Sequence, residues 1–269
     1  MTDETVRART VLLDALEALG EHLPSIILVG AQAIYLRTGA ADVALAEFTT
    51  DADLVLDPRG MSDDPLIEEA MTAAGFIRDP GNANPGTWIS SDGVPVDLMV
   101  PEAVAGRGRR AATVGPHDRG AMRRTPGLEA VLEDNAVLAV EGLAHGDGRR
   151  IDVRVAGEAG LLIAKIHKVG DRVNTPRRRD DKDAHDIYRL LVATSTDSLA
   201  DTVRNLLDDP IAGAVTLQAM NMLAVLFAAG PEATGSAMAG RAERAVGDPE
   251  QVSAAASILA ADLVQALEC

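Results

Sequence analysis

The chain has 269 residues, 47% of them hydrophobic and 25% charged, with a formal net charge of −16. That length allows one large domain or two small ones, and the apolar share excludes a disordered chain; with aromatics at 2% the core must come from Ala, Leu, Val and Ile. One cysteine, Cys269, excludes a disulfide framework and a cysteine-rich zinc site, and the acidic balance argues against a general nucleic-acid binder, because a polyanion is repelled at long range.

Residues 3–20 read as an amphipathic helix with Val6, Val11, Leu12, Leu16 and Leu19 on one face. The opening segment MTDETVRART lacks the basic-then-apolar layout of a signal peptide. The longest apolar runs, such as 222–230, are too short to span a bilayer. The expected setting is therefore reducing and cytoplasmic, without a membrane partner. After Pro24 and Ser25, the run 26–29 reads as a buried strand ending at Gly30, and 31–38 as a helix closed by Gly39. A strand over 51–56 follows and is closed by Pro58 and Gly60. Residues 62–74 read as a helix, with Ser62 as a candidate cap ahead of Asp63 and Asp64. Residues 80–86 form a turn-rich loop, and 87–90 and 94–100 pair as a hairpin through Ser91, Asp92 and Gly93.

The segment 105–124 carries Arg107, Arg109, Arg110, Arg119, Arg123 and Arg124 against one acid, Asp118, and has too many Gly and Arg for a regular element. Two further strands, 137–140 and 151–155, flank HGDG at 145–148. From Glu158 the pattern is helical: about 158–173, 182–194, 198–208, 211–229 and 250–267, with a weaker helix between the last two. The expected class is α/β (α+β): a mixed sheet with flanking helices over 1–156, then a helical half over 157–269. A second basic stretch, 172–182, holds Arg172, Arg177, Arg178, Arg179 and Lys182 against Asp180 and Asp181. An acidic body with two basic loops suits a local phosphate contact; both loops are equally readable as solvated surface.

Chemistry concentrates at a few positions. In a strand over 51–56, Asp51 and Asp53 point one way while Ala52, Leu54 and Leu56 point into a core. Two carboxylates on one face of a buried strand repel and are costly to desolvate, and a hard cation with oxygen ligands removes that cost. A solvated strand start is the plain alternative. Asp97 interrupts VPVDLMV, where Val96, Leu98 and Val100 alternate away from it; a hairpin edge facing water also accounts for it. Gly30, at a strand–helix junction, lets backbone approach a ligand and offers helix N–H groups to phosphate. In LLIAKIHKVGDR, Lys165, Lys168 and Arg172 share a helix face, and in KDAHDIYRLL Asp183 and Asp186 do. That basic stripe suits a triphosphate or is the surface of an acidic protein. Asp183 reads also as a first-turn acid, and Asp186 as an acid that orients Lys165 or Arg172. His167 and His185 with Asp183 give a zinc alternative that no metal-ligand spacing supports, and neither a P-loop nor a G-x-S-x-G elbow is present.

The order Gly30 … Asp51-x-Asp53 … Asp97 … Lys165-x6-Arg172 … Lys182-Asp183-x-x-Asp186 resembles the nucleotidyltransferase superfamily, and more closely its AbiEii/MenT group of bacterial toxin-type enzymes, over roughly residues 25–192. The resemblance implies a minimal mixed sheet and transfer of a nucleoside monophosphate from an NTP with Mg2+ or Mn2+. It implies Asp51, Asp53 and Asp97 as metal carboxylates, the last also as a base for the attacking hydroxyl. It further implies Lys165 as the triphosphate lysine, supported by Lys168, Arg172 and Asp183, with Asp186 as the acid of the last motif. Gly30 and Ala31 occupy the phosphate turn, where many members carry Ser, Gly or Thr after the glycine and this chain has Ala31 and Gln32. The acceptors to be weighed are RNA such as a tRNA end, held through 105–124 and 172–182, and a small-molecule or protein hydroxyl. A catalytically silent binding module, or a component of a toxin–antitoxin complex with an antitoxin partner, is the competing expectation.

Overall fold

The structure is a computed structural model describing residues 3–39, 50–79, 84–173, 175, 181–244 and 247–268. The chain divides into two compact units, Met1–Ala33 with Phe48–Leu128 and Asn135–Ala156, and Ile34–Glu47 with Glu129–Asp134 and Gly157–Cys269. Arg177, Arg178, Arg179 and Cys269, which figured in the sequence reading, lie outside the described residues.

The first unit is a mixed sheet flanked by helices. Among the described residues its eight strands are β1 (Ile26–Val29), β2 (Ala52–Leu56), β3 (Ile77–Arg78), β4 (Thr87–Ile89), β5 (Pro95–Pro101), β6 (Arg123–Thr125), β7 (Asn135–Glu141) and β8 (Arg150–Ala156). They run in the order β3-β4-β5-β2-β1-β8-β7, with β6 added alongside β5. Strand β1 is buried along its whole length, as its unbroken IILV dictates, and lies antiparallel to β2 and parallel to β8. In β2 and β5 the residues Ala52, Leu54, Leu56, Val96, Leu98 and Val100 are fully buried and make the core. Helix α1 (Asp3–Ala18) contributes Leu12, Leu13 and Leu16. The β4–β5 hairpin turns through Ser91–Gly93, with Ser90 N–H donating to Val94 O at 3.0 Å, and the β7–β8 hairpin turns around HGDG.

Three sequence expectations shift. The helix expected over 62–74 is shorter: α3 spans Ile67–Ala73. Pro65 disfavours helical backbone at Asp64, and Ser62 Oγ is used within the preceding turn, donating to Asp64 O at 2.7 Å instead of capping. The basic segment ends in the short strand β6, parallel to β5. The strand expected from Asp51 begins at Ala52.

The second unit is helical. Helix α2 (Gly30–Thr38) starts in the first unit's stretch of chain and ends in the second's, followed in sequence by α4 (Glu158–Arg172), α5 (Asp181–Ala193), α6 (Thr196–Leu207), α7 (Gly213–Leu223), α8 (Thr234–Glu243) and α9 (Pro249–Glu268). The 211–229 helix is interrupted, its end winding as a π-helical turn over Ala224–Ala228 around buried Phe227. Helix α4 starts just after Gly157, where Asp134 sits over its first turn and accepts from Gly160 N–H at 2.7 Å; burial raises the Asp134 pKa against that bond. Leu162, Ile166, Ile187, Leu190, Phe227 and Leu263 are fully buried.

Gly86 lets β6 approach β5. It has φ +81°, and a Cβ there would stand 2.4 Å from Leu98 O and 2.5 Å from Arg123 N. Gly86→Ala is expected to lower the unfolding free energy by about 3 kcal/mol, combining left-handed backbone strain with a backbone clash; urea denaturation with an unchanged m-value measures it.

Candidate active site

Strand pairing brings two of the three sequence-identified strand carboxylates together. Strands β2 and β5 are parallel, and the register places Asp53 directly beside Asp97. Neighbouring strands lie about 4.8 Å apart, and paired residues share a face. Both aspartates are half-buried, while Leu54 and Leu98, one step along, are fully buried on the other face. The two carboxylates are thus presented on one surface of a sheet whose other surface is core.

Gly30 borders the same surface. It follows β1, whose last residue Val29 pairs with Asp53, and it has φ +69°. A Cβ at position 30 would meet Asp53 Oδ2 at 2.1 Å. Only glycine lets the start of α2 lie this close to the carboxylate. Ala31, the next residue, is buried. Gln32 donates through Nε2 to Ala8 O and to Asp51 O, both at 3.2 Å, and accepts from Arg9 Nε at 2.8 Å. Asp51 itself is half-buried and precedes the strand, its backbone carbonyl held by Gln32.

Asp97 is already well supplied with donors. Thr87, opposite it on β4, donates its hydroxyl to Oδ1 at 2.7 Å. Arg123, from β6, donates to Oδ2 at 2.9 Å. Both partners went unassigned in the sequence. The Thr87 contact was implicit in the hairpin, since a turn at 91–93 sets Thr87 against Asp97; the Arg123 contact depends on a long-range strand pairing that leaves no local signal.

Among the described residues, no group of three or more His, Cys, Asp or Glu side chains is arranged to hold a metal ion. The donor set that is present, Asp53 with Asp97, still fits Mg2+ or Mn2+. Such ions use one or two carboxylates and complete their octahedron with waters and substrate phosphates.

The second unit holds a separate charge cluster. Lys165 on α4 lies 2.7 Å from Asp183 Oδ1 and 2.6 Å from Asp186 Oδ2, both on α5. Lys168 Nζ is 2.9 Å from Asp183 Oδ1, and Arg172 is 3.2 Å from Oδ2. The expected basic stripe exists, and its charges are directed at α5. Lys165, Asp183 and Asp186 are buried, whereas the Lys168 side chain is 41% exposed and that of Arg172 27%. Burial alone would lower the Lys165 pKa; the charges of Asp186 and Asp183 reverse this and hold it above its ordinary value. Burial likewise opposes ionisation of Asp183, but Lys165 and Lys168 prevail and hold its pKa down at about 2. Nearby, Arg189 donates to Thr38 Oγ1 at 2.6 Å and lies 5.6 Å from the Tyr35 ring centre, and burial followed by the charge of Asp186 raises the Tyr35 pKa. The histidines of the zinc alternative turn to different partners: His167 Nε2 contacts Val215 O at 2.8 Å, and His185 Nε2 contacts Glu243 Oε2 at 2.6 Å.

In the segment 105–124, Arg107, Arg109, Arg110 and Arg119 are exposed, while Arg124 pairs with Glu102 and Asp118 with Arg78. Among the described residues, no helix is long and apolar enough to cross a membrane.

No protein-family model and no curated protein matches the chain. Among solved structures, the crystal structure of a "putative nucleotidyltransferase from H. pylori" aligns with a TM-score of 0.36 and 10% identity, over 100% of this chain and 98% of that one. At that level of similarity, fold and chemistry rest on this chain's own residues.

Lys165→Met is expected to cost about 3–5 kcal/mol of stability, because it leaves Asp186 buried beside no cation; adding Asp186→Leu recovers part of the loss. Urea unfolding at neutral pH compares the two. Because the Asp183 pKa is depressed on folding, its contribution is complete above its ordinary value of 3.8 and fades as pH falls towards about 2. The stability gap between wild type and Asp183→Asn should therefore close across that interval, as followed by denaturant titrations at successive pH values.

Proposed function

We propose that this protein is a nucleotidyltransferase that moves a nucleoside monophosphate from an NTP to an acceptor hydroxyl. The observation that carries this reading is the register pairing of Asp53 with Asp97 on parallel strands, beside a glycine-ended strand that opens a helix. The resemblance in residue order, from Gly30 through Asp186, supports it.

In this reading Asp53 and Asp97 hold Mg2+ or Mn2+, and Asp51, which precedes the strand, is left out of the donor set. Bound there, the cation supplies charge stabilisation to the phosphoryl oxygens. The backbone of Gly30 and Ala31 offers N–H groups to phosphate. The acceptor oxygen forms its bond to the α-phosphorus, the bond to the bridging oxygen breaks, and pyrophosphate departs with that electron pair. The hydroxyl proton passes to a carboxylate, for which Asp97 is the candidate. In the helical unit, Lys165 fixes Asp183 and Asp186, while Lys168 and Arg172 pair with Asp183 and keep solvent access. The exposed arginines of 105–124 are the assigned contact for an RNA acceptor such as a tRNA end.

A second reading is favoured by one observation: Asp97 already has a guanidinium and a hydroxyl on its two oxygens. A relative that has lost catalysis and serves as a binding module, with an antitoxin protein as one candidate partner, would need no more than that.

Incubation with each labelled NTP, Mg2+ and total RNA separates the readings. The expected result is labelled RNA; labelled protein or small molecule redirects the acceptor, and no label in any fraction supports the silent module. Asp53→Ala should abolish labelling while leaving the circular dichroism spectrum and unfolding transition intact, and normal turnover in that variant removes the metal-site assignment.

A further inference from the structure

Arg123 is not a loose surface cation that has drifted onto Asp97. Its backbone is held on two sides: β6 pairs in parallel with β5, Met99 opposite Arg123, and Ala111 bridges Arg123 from the other side. Gly86 removes the side chain that would otherwise collide with Arg123 N, and Gly86 N–H donates to Gly120 O at 2.9 Å. Register puts Arg123 level with Met99, two residues beyond Asp97 and on the same face, so its side chain reaches back along β5. It ends on Oδ2, while Thr87 takes Oδ1. The Arg123 side chain is 28% exposed and that of Asp97 23%, so this contact is shielded enough to matter and open enough to exchange.

Two like charges in neighbouring register repel, and something must offset that repulsion when no metal is bound. Arg123 does so for Asp97. A divalent ion shared with Asp53 would need the same carboxylate and would bring two positive charges beside the guanidinium. The two cations therefore compete.

We propose that Arg123 is a built-in counter-cation of the Asp53–Asp97 pair, which holds Asp97 while the metal position is unfilled and gives up Oδ2 when a divalent ion binds. This rests on the carboxylate-pair reading given above. Divalent-ion binding and release of the Arg123 guanidinium are then one equilibrium. The ion's apparent affinity is set lower than the carboxylates alone would give, and deleting the guanidinium raises it.

Mn2+ binding to the 269-residue chain, followed by loss of the free-ion EPR signal, tests this without reference to turnover. Arg123→Gln should bind Mn2+ roughly tenfold more tightly than wild type, the factor for one partly exposed charge-assisted hydrogen bond. Arg124→Gln removes the same charge next door, where the partner is Glu102, and should change affinity little. Equal tightening in both variants, or none in Arg123→Gln, overturns the proposal. Asp53→Asn should lose the site; if Asp53→Asn and wild type bind alike, or neither binds, the carboxylate-pair reading itself falls and takes this inference with it. Should Arg123→Gln fail to fold, the wild-type Arg123 side-chain Nε–Hε NMR resonance, assigned through Arg123→Lys, is expected to shift as Mg2+ saturates the protein. An unmoved resonance at saturation overturns the proposal.

Discussion

The parallel pairing of β2 with β5 is the constraint from which the candidate site follows. It sets Asp53 and Asp97 at the same height on adjacent strands and buries Leu54 and Leu98 behind them. Shifting either strand by one residue would turn its aspartate into the core and its leucine to solvent, at a cost in both desolvated charge and lost burial. The core therefore enforces the juxtaposition of the two acids although the acids repel. The neighbouring features act on that repulsion: Gly30 gives the Asp53 carboxylate room against backbone, and Thr87 and Arg123 satisfy Asp97.

The helical unit solves a similar problem differently. There the charges are buried, and opposite signs are matched at short range, with Lys165 between Asp183 and Asp186. Such a cluster contributes little net stability compared with apolar packing, but breaking it is costly. It therefore acts mainly to fix how α4 and α5 register against each other. The two units thus hold acids in two states: shielded by a replaceable guanidinium on the sheet, and locked by a buried ammonium between helices.

Much of this architecture was readable from local pattern. The unbroken apolar run of β1 and the alternation in β5 gave strands where strands occur, and the long amphipathic segments after Glu158 gave helices to within a few residues. Boundaries failed where a single residue overrode periodicity, as Pro65 does before α3. For the site, spacing placed Asp51 and Asp53 on one face and Lys165, Lys168 and Arg172 on another. It could not say what stood opposite, because that is decided by pairing between distant segments. Arg123 illustrates the limit: in sequence it is one of six arginines in an irregular stretch, and only the β5–β6 register distinguishes it from Arg124, whose partner is Glu102.

Gln32 ties the first helix into this arrangement. Its amide bridges Ala8 O and Asp51 O while accepting from buried Arg9, so the carbonyl just before β2 is braced by α1. An engineer trimming helix α1 would thus cut a strut of the acidic face, and would see it at Asp51, more than forty positions downstream.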